Sequence, residues 1–316
     1  MRVAICIPTF KRTKLLRELL RGISELTFQK VPEPELQVIV VDNDGSGTAA
    51  SVCSSTSIRW PAKYFIEPRR GISQTRNRAI REAGEADFIA FIDDDEVPAP
   101  AWLDELLWTQ KQSNADAVAG PVAPSFTGEV SEWVKGGKLF ERPQHVSGEC
   151  LEFCATGNVL IRRTVFDRVP AFDERFALTG GEDTHFFLRV RRAGFKIVWS
   201  ADSLAYERIS ANRANLGWLL RRAYRGGNSW VLVESTLDKR VTTRLVRVAK
   251  AFGRIILGCL RAPVSLFQGK AAVTRALQSI CLGAGMLAGL ADWDYQEYSS
   301  AGSDPAKQVA AQQPTT

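Results

Sequence analysis

Histidine is nearly absent from this chain: its 316 residues include two, His145 and His185. That argues against a zinc centre built on imidazole ligands. His185, a solitary histidine just beyond a pair of acids, reads as a structural residue. Cysteine occurs six times, at Cys6, Cys53, Cys150, Cys154, Cys259 and Cys281, but never with CxxC spacing. Cys6 and Cys281 sit in apolar surroundings, so a reduced, cytosolic chain is expected rather than a disulfide scaffold. No uninterrupted apolar run reaches the roughly 18–20 residues of a membrane span. The first run, residues 3–7, stops at Pro8, too short for a signal-peptide core, and reads as a buried strand. There are no internal repeats, and the positive charge is not interleaved with a nucleic-acid recognition motif, so no nucleic-acid partner is expected.

What the chain does have is 45% hydrophobic and 24% charged residues, enough for one large domain, alone or with an appendage. Short apolar runs at 3–7, 36–41, 63–66 and 88–92 alternate with helical spacing at 14–26 and 74–83. Strands apolar on both faces, alternating with amphipathic helices, imply an α/β fold with a mainly parallel sheet covered by helices. Further strands are expected at 115–120 and 154–162, Gly/Pro-rich loops at 120–149, and helices at 98–107, 182–193 and 216–233. In such sheets ligands gather beyond the carboxyl ends of the strands. Three runs end there in polar clusters: Pro8-Thr9, Asp42-Asn43-Asp44 and Asp93-Asp94-Asp95.

Each cluster has a plain reading beside a chemical one. Acids favour a helix start, but four in a row, Asp93 to Glu96, exceed that need. Adjacent carboxylates repel unless a cation offsets them, and a hard divalent ion that also grips phosphate oxygens would do so. Asp42-Asn43-Asp44 is a turn by composition, or a carboxylate placed to accept hydrogen bonds from a nucleotide. In Gly180-Gly181-Glu182-Asp183, Asp183 or Thr184 can cap the following helix, or a carboxylate beside a pocket can serve as general base. Arg221 to Asn228 is a solvated basic face, or a set of guanidinium forks for a diphosphate.

In this order, IPTFKR (7–12), VVDND (40–44), GISQTRNRAI (71–80), FIDDDE (91–96), TGNVLIRR (156–163) and GGEDTHFFLR (180–189) resemble the inverting family 2 glycosyltransferases, which have the GT-A fold. The resemblance covers roughly the first 235 residues, and RRAYRGGNS (221–229) looks most like the succinoglycan-type exopolysaccharide glucosyltransferases. It implies a GT-A catalytic domain over 1–235; charge and composition then mark a basic helical extension over 236–298 and a disordered tail over 299–316. Pro8, Thr9 and Arg12 would lie along the nucleotide pocket, with Asp42 and Asp44 at the uracil or ribose. Arg76 and Asn77 would line the donor site. Asp93 and Asp95 would form the DxD motif, with Asp95 holding Mg²⁺ or Mn²⁺ against the diphosphate and Asp94 sharing either task. Gly157 and Asn158 would border the sugars. Asp183, with Glu182 beside it, would be the general base, and Arg222 and Arg225 would steady the leaving diphosphate. Many relatives carry a histidine near the metal; here Tyr206 stands at that position, followed by Glu207.

The implied function is metal-dependent transfer of a hexose, such as glucose, from a UDP-sugar to a lipid-linked glycan in exopolysaccharide or cell-surface polysaccharide synthesis. Two rivals are a sugar-phosphate nucleotidyltransferase and a degenerate glycan-binding protein. The first wants a glycine-rich, lysine-containing loop after strand one, and IPTFKRTK lacks the glycines. The second predicts loss of the acids, yet Asp93, Asp95, Glu182 and Asp183 are all present. From Ser235 to Leu290 there are nine Lys/Arg and one acid, Asp238. Residues 240–290 therefore read as basic amphipathic helices interrupted at Pro263. They either pack on the catalytic domain or meet an anionic membrane surface, giving a cytoplasmic enzyme peripheral on the inner face of the membrane.

Overall fold

The structure, a computed structural model, describes residues 1–298, so the expected tail at 299–316 lies outside the described residues. The chain runs β1 (Arg2–Thr9), α1 (Thr13–Ser24), β2 (Glu35–Asp42), α2 (Ala50–Ser55), β3 (Ala62–Ile66), α3 (Ile72–Glu82), β4 (Phe88–Ile92), β5 (Glu96–Pro98) and α4 (Trp102–Ser113). It continues through β6 (Ala117–Ala119), β7 (Val122–Thr127), α5 (Glu132–Lys135), β8 (Asn158–Arg162), α6 (Val165–Arg168), α7 (Glu182–Arg192), β9 (Ile197–Trp199) and β10 (Ala205–Ser210). Three long helices follow: α8 (Leu216–Leu237), α9 (Val241–Ser265) and α10 (Lys270–Leu290).

Seven strands form the main sheet in the order β3-β2-β1-β4-β8-β6-β9. β1 pairs in parallel with both β2 and β4, and β8 is the antiparallel member between β4 and β6. The apolar runs are buried on both faces because each face has its own helical layer. Val3, Ile5 and Ile7 of β1 meet Leu16, Leu19, Leu20 and Ile23 of α1 on one side. Ala4 and Cys6 meet Ala79, Phe186 and Phe187 on the other. The α1 residues recur at three- and four-residue spacing, so one stripe enters the core, and each such side chain contributes about 1.5–3 kcal/mol on burial. All six cysteines are free thiols.

A second, three-stranded sheet, β5-β10-β7, was not legible as a unit, and it closes the site from the side. β10 runs antiparallel to β5 and parallel to β7. The expected helix at 98–107 begins four residues later, because Glu96–Pro98 is used as an edge strand that pairs with β10.

The C-terminal helices pack through glycines. A Cβ on Gly285 would lie 1.9 Å from the Tyr224 carbonyl oxygen, and one on Gly227 would lie 2.1 Å from that of Leu282, so α8 and α10 meet backbone to backbone. Gly258 and Gly283 do the same between α9 and α10. α8 therefore belongs with the helical unit as much as with the catalytic layers. Pro263 does not interrupt the helix: it sits inside α9, and the break falls at Gly269, whose φ is +92°. Proline there leaves the Cys259 carbonyl without its usual i+4 amide donor, close to the end of the helix. α10 is also less basic than expected. It is the one described helix long and apolar enough by length and composition to cross a membrane, and a third of its apolar stretch is buried in the structure.

Candidate active site

The carboxyl ends of β1 and β4 lie side by side, with Cys6 level with Phe91. The turn after β4 therefore meets the segment after β1, and the three aspartates acquire three different sets of partners. Asp94 accepts from Thr9 Oγ1 at 2.8 Å, from the Phe10 amide at 3.4 Å and from Arg12 Nη1 at 2.9 Å. Asp95 Oδ2 accepts from Arg12 Nη1 at 3.0 Å and Arg213 Nη1 at 2.8 Å. Asp93 Oδ1 accepts from Arg76 Nη2 at 3.0 Å. Burial pushes the Asp94 carboxyl up to about 6 against the pull of Arg12, with Asp95 adding repulsion. Burial raises Asp95 as well, opposed by Arg12 and Arg213. Arginines thus make the acidic run tolerable.

Glu96 sits behind the turn. Its Oε2 accepts from the Asp93 amide at 3.2 Å, while Oε1 is buried without a hydrogen-bond partner among the described residues. Burial drives this carboxyl well above its ordinary value. Gly157 gives it room, since a Cβ there would lie 2.5 Å from Glu96 Oε1. Gly157→Ala should therefore cost about 1–3 kcal/mol through overpacking, read as a fall in the urea midpoint; an unchanged midpoint would show that Glu96 can move aside.

Alternation along β10 settles which residue faces the site. Glu207 points in, 6% exposed, and Tyr206 points out, 38% exposed. Glu207 Oε2 accepts from Arg142 Nη2 at 2.8 Å and Oε1 from Arg213 Nη2. Burial pushes this carboxyl up, but Arg142 and Arg213 outweigh burial and hold it below its ordinary value. Both of its oxygens are engaged by guanidinium groups, so Glu207 offers no free oxygen.

Two adjoining cavities result, of about 450 and 400 Å³. The first gathers Pro8, Thr9, Arg12, Asn43 and the three aspartates; the second gathers Gly157, Glu182 and Asp183. Arg76, Arg142, Arg222 and Arg225 border both. Gly180 and Gly181 have φ of +77° and +90°, a turn that places α7 with its first residues at the second cavity. There Glu182 turns into the protein and pairs with Arg76. Burial raises the Glu182 carboxyl to about 7, against Arg76, with Asp183 and Asp93 adding to the rise. Asp183 is half-buried and faces the cavity, its Oδ1 accepting from the Thr184 amide at 2.6 Å. Arg222 lies over the rings of Trp218 and Phe140, 5.3 and 5.7 Å from their centroids, and burial lowers it to about 10. His185 packs on Phe176, and burial lowers it to about 4, consistent with a structural residue.

Four expected site residues are placed elsewhere. Asp42 is fully buried and works for its own loop, accepting from the Asp44 and Ala49 amides and from the Tyr64 hydroxyl, each at 2.9 Å. Asp44 holds Ser46. Asn77 ties α3 to Phe172 through both main-chain groups. Asn158 is saturated by Trp102 Nε1 and by the carbonyls of Pro121 and Ser203. These are framework residues around the cavities rather than part of their lining.

Sequence reasoning missed Arg142, Arg213, Glu297 and Tyr298. The last two belong to a segment beyond α10 that folds back across both cavities. Asn228 anchors it, donating to the Trp293 carbonyl at 2.7 Å and accepting from the Tyr295 amide at 3.0 Å. Glu297 then pairs with Arg225, and Arg70 Nε donates to the Tyr298 carbonyl at 3.1 Å. Nothing local in a polar stretch after an apolar helix signals such a return.

The acids also fit a divalent cation. Among the described residues no three carboxylates, thiols or imidazoles gather as a complete cage. Asp93 and Asp95, however, each use one oxygen for arginine, and no described group takes the other. Two free carboxylate oxygens suit Mg²⁺ or Mn²⁺, which complete their shells with water and substrate oxygens.

Comparison with known proteins agrees with this architecture. Residues 4–169 match Glycosyl transferase family 2, and residues 88–290 match Glycosyl transferase family group 2. The chain is 31% identical over 300 residues to "Succinoglycan biosynthesis protein ExoM" of Rhizobium meliloti, covering 92% of this chain and 93% of that one. It is 24% identical over 248 residues to "Glucosyl-dolichyl phosphate glucuronosyltransferase" of Haloferax volcanii, covering 72% and 75%. Its fold matches the mannosyltransferase PcManGT of Pyrobaculum calidifontis, solved with GDP-Man and Mn²⁺, at a TM-score of 0.62 and 17% identity, over 92% and 87% of the two chains. With its parallel sheet, acidic turn after β4 and flanking helices, the chain has the GT-A fold and belongs to glycosyltransferase family 2.

Proposed function

We propose that this protein transfers a hexose, such as glucose, from a UDP-sugar to a lipid-linked glycan with inversion at the anomeric carbon, in exopolysaccharide synthesis. The observation that carries the reading is the pair of joined cavities, arginine-rich on the donor side and opening onto Asp183 on the other. The kinship with a succinoglycan biosynthesis protein supports the pathway class, and kinship with an enzyme named for a dolichyl phosphate supports the lipid.

Asp183 removes the proton from the acceptor hydroxyl as it attacks. Arg222 and Arg225 stabilise charge on the departing diphosphate, where it develops. Asp93 and Asp95 hold Mg²⁺ or Mn²⁺, whose contribution when bound is to neutralise the diphosphate. Asn43, rather than Asp42, meets the nucleoside end. The enzyme works at the cytoplasmic membrane surface, with the cationic, apolar-faced α9 against anionic lipid.

The deciding experiment is UDP and GDP release from a panel of nucleotide sugars, with and without Mn²⁺. A UDP-sugar turned over only with metal is expected; metal-independent turnover, or full activity in Asp95→Ala, would remove the metal assignment. A second result concerns Glu297, whose carboxylate occupies Arg225 where a diphosphate would bind. Glu297→Gln should tighten UDP binding about threefold to tenfold, as release of one charge pair implies; calorimetry giving equal or weaker binding would refute competition.

A further inference from the structure

Between α8, α9 and α10 lies an apolar groove of about 620 Å³, walled by Gly226, Trp230, Gly253, Leu257, Leu282 and Met286, with Lys250 and Arg254 on its α9 edge. We propose that it holds the isoprenoid chain of a lipid phosphate acceptor, with Lys250 and Arg254 on the phosphate. This rests on the lipid-linked acceptor proposed above and adds where that lipid binds.

Four observations support it. Gly226 and Trp230 also line the cavity bearing Asp183, so groove and cavity adjoin across α8. A lipid seated in the groove is thereby placed next to the cavity that holds Asp183. The glycines carry the second argument. Gly227, Gly258, Gly283 and Gly285 are explained by close backbone contact between helices, but a Cβ on Gly226 or Gly253 would meet nothing within 4 Å. Helix-interior glycine is disfavoured relative to alanine, and no contact requires these two; what they do is keep the groove open.

Charge gives the third. Glu234 and Asp238 are already paired, with Arg247 and Arg240. Lys250 and Arg254 are exposed and form no ion pair among the described residues. Unpaired cations at an apolar slot suit an amphiphile with an anionic head. Finally, Leu245, Phe252, Ile256 and Leu260 form an exposed stripe on the α9 face next to Gly253 and Leu257, each at least 50% exposed. A chain leaving a bilayer along that stripe reaches the groove without crossing a polar surface.

The test is calorimetry on the full chain with farnesyl diphosphate, inorganic pyrophosphate and dodecyl phosphate, each amphiphile below its micelle threshold. Farnesyl diphosphate should bind about tenfold or more tighter than pyrophosphate, given the apolar area buried. Gly253→Leu should weaken it by about tenfold or more by filling the slot, and Lys250→Glu/Arg254→Glu should weaken it while UDP affinity stays unchanged in both. Pyrophosphate or dodecyl phosphate binding as tightly as farnesyl diphosphate would overturn the proposal, as would unchanged affinity in Gly253→Leu. Should Gly253→Leu fail to fold, the charge variant decides alone. Failure of the transferase reading shows separately, as no nucleotide release from any donor, while farnesyl binding is still measured.

Discussion

Asp183→Asn is expected to lower glycosyl transfer by about 10²–10⁴-fold, the range that a positioned general base contributes, and to leave UDP affinity unchanged. The asparagine side chain still accepts from the Thr184 amide through its carbonyl oxygen, so the start of α7 is kept. What is lost is a group able to take the acceptor proton. The adjacent acid is a poor substitute, because Glu182 is almost fully buried and its Oε1 is held by Arg76. Rates of UDP release with acceptor, set beside calorimetric UDP binding, test this. Near wild-type transfer by the variant would remove Asp183 from the role, and lost UDP binding would show that it holds the donor instead.

The sequence could be read well wherever local pattern and tertiary role coincide. β1, β2 and β4 are apolar on both faces because both faces are covered, so the parallel sheet and its ligand edge followed from pattern alone. β5 and β9, of three residues each, carry too little periodicity to be recognised. β10 does alternate, but its acidic and basic residues hid a strand whose inward charge, Glu207, is satisfied by Arg142 from a distant loop and by Arg213 from the turn that follows. The same limit explains the misplaced site residues. Asp42 and Asn158 are polar at the right edge of the sheet, yet the chain uses them to tie its own loops, and nothing local separates that role from a ligand contact. Conversely, Glu297 reaches Arg225 across 72 positions, 297 less 225.

Arg76→Met is the substitution with the largest expected effect on stability, about 3–5 kcal/mol at pH 8, because it strands a buried carboxylate. Arg76 pairs with Glu182 inside the protein and with Asp93 at the cavity, so one side chain links the framework of α7 to the acidic turn. Glu182 already titrates near 7 in the folded protein, raised by burial, against an ordinary value of 4.5. The folded state therefore holds that proton more tightly than the unfolded chain. Its contribution to stability is complete below pH 4.5 and is lost as pH rises through about 7. Removing Arg76 removes the group that opposes the rise, so the carboxyl moves higher still and the variant loses most at alkaline pH. Urea unfolding at pH 5 and pH 8 tests this, with the deficit expected to be smaller at pH 5. Adding Glu182→Gln should recover most of the stability, since no charge then remains to be compensated. It should not recover activity, because Asp93 still lacks its guanidinium partner. A single Arg76→Met variant as stable at pH 8 as the parent would mean that Glu182 is solvated by another route.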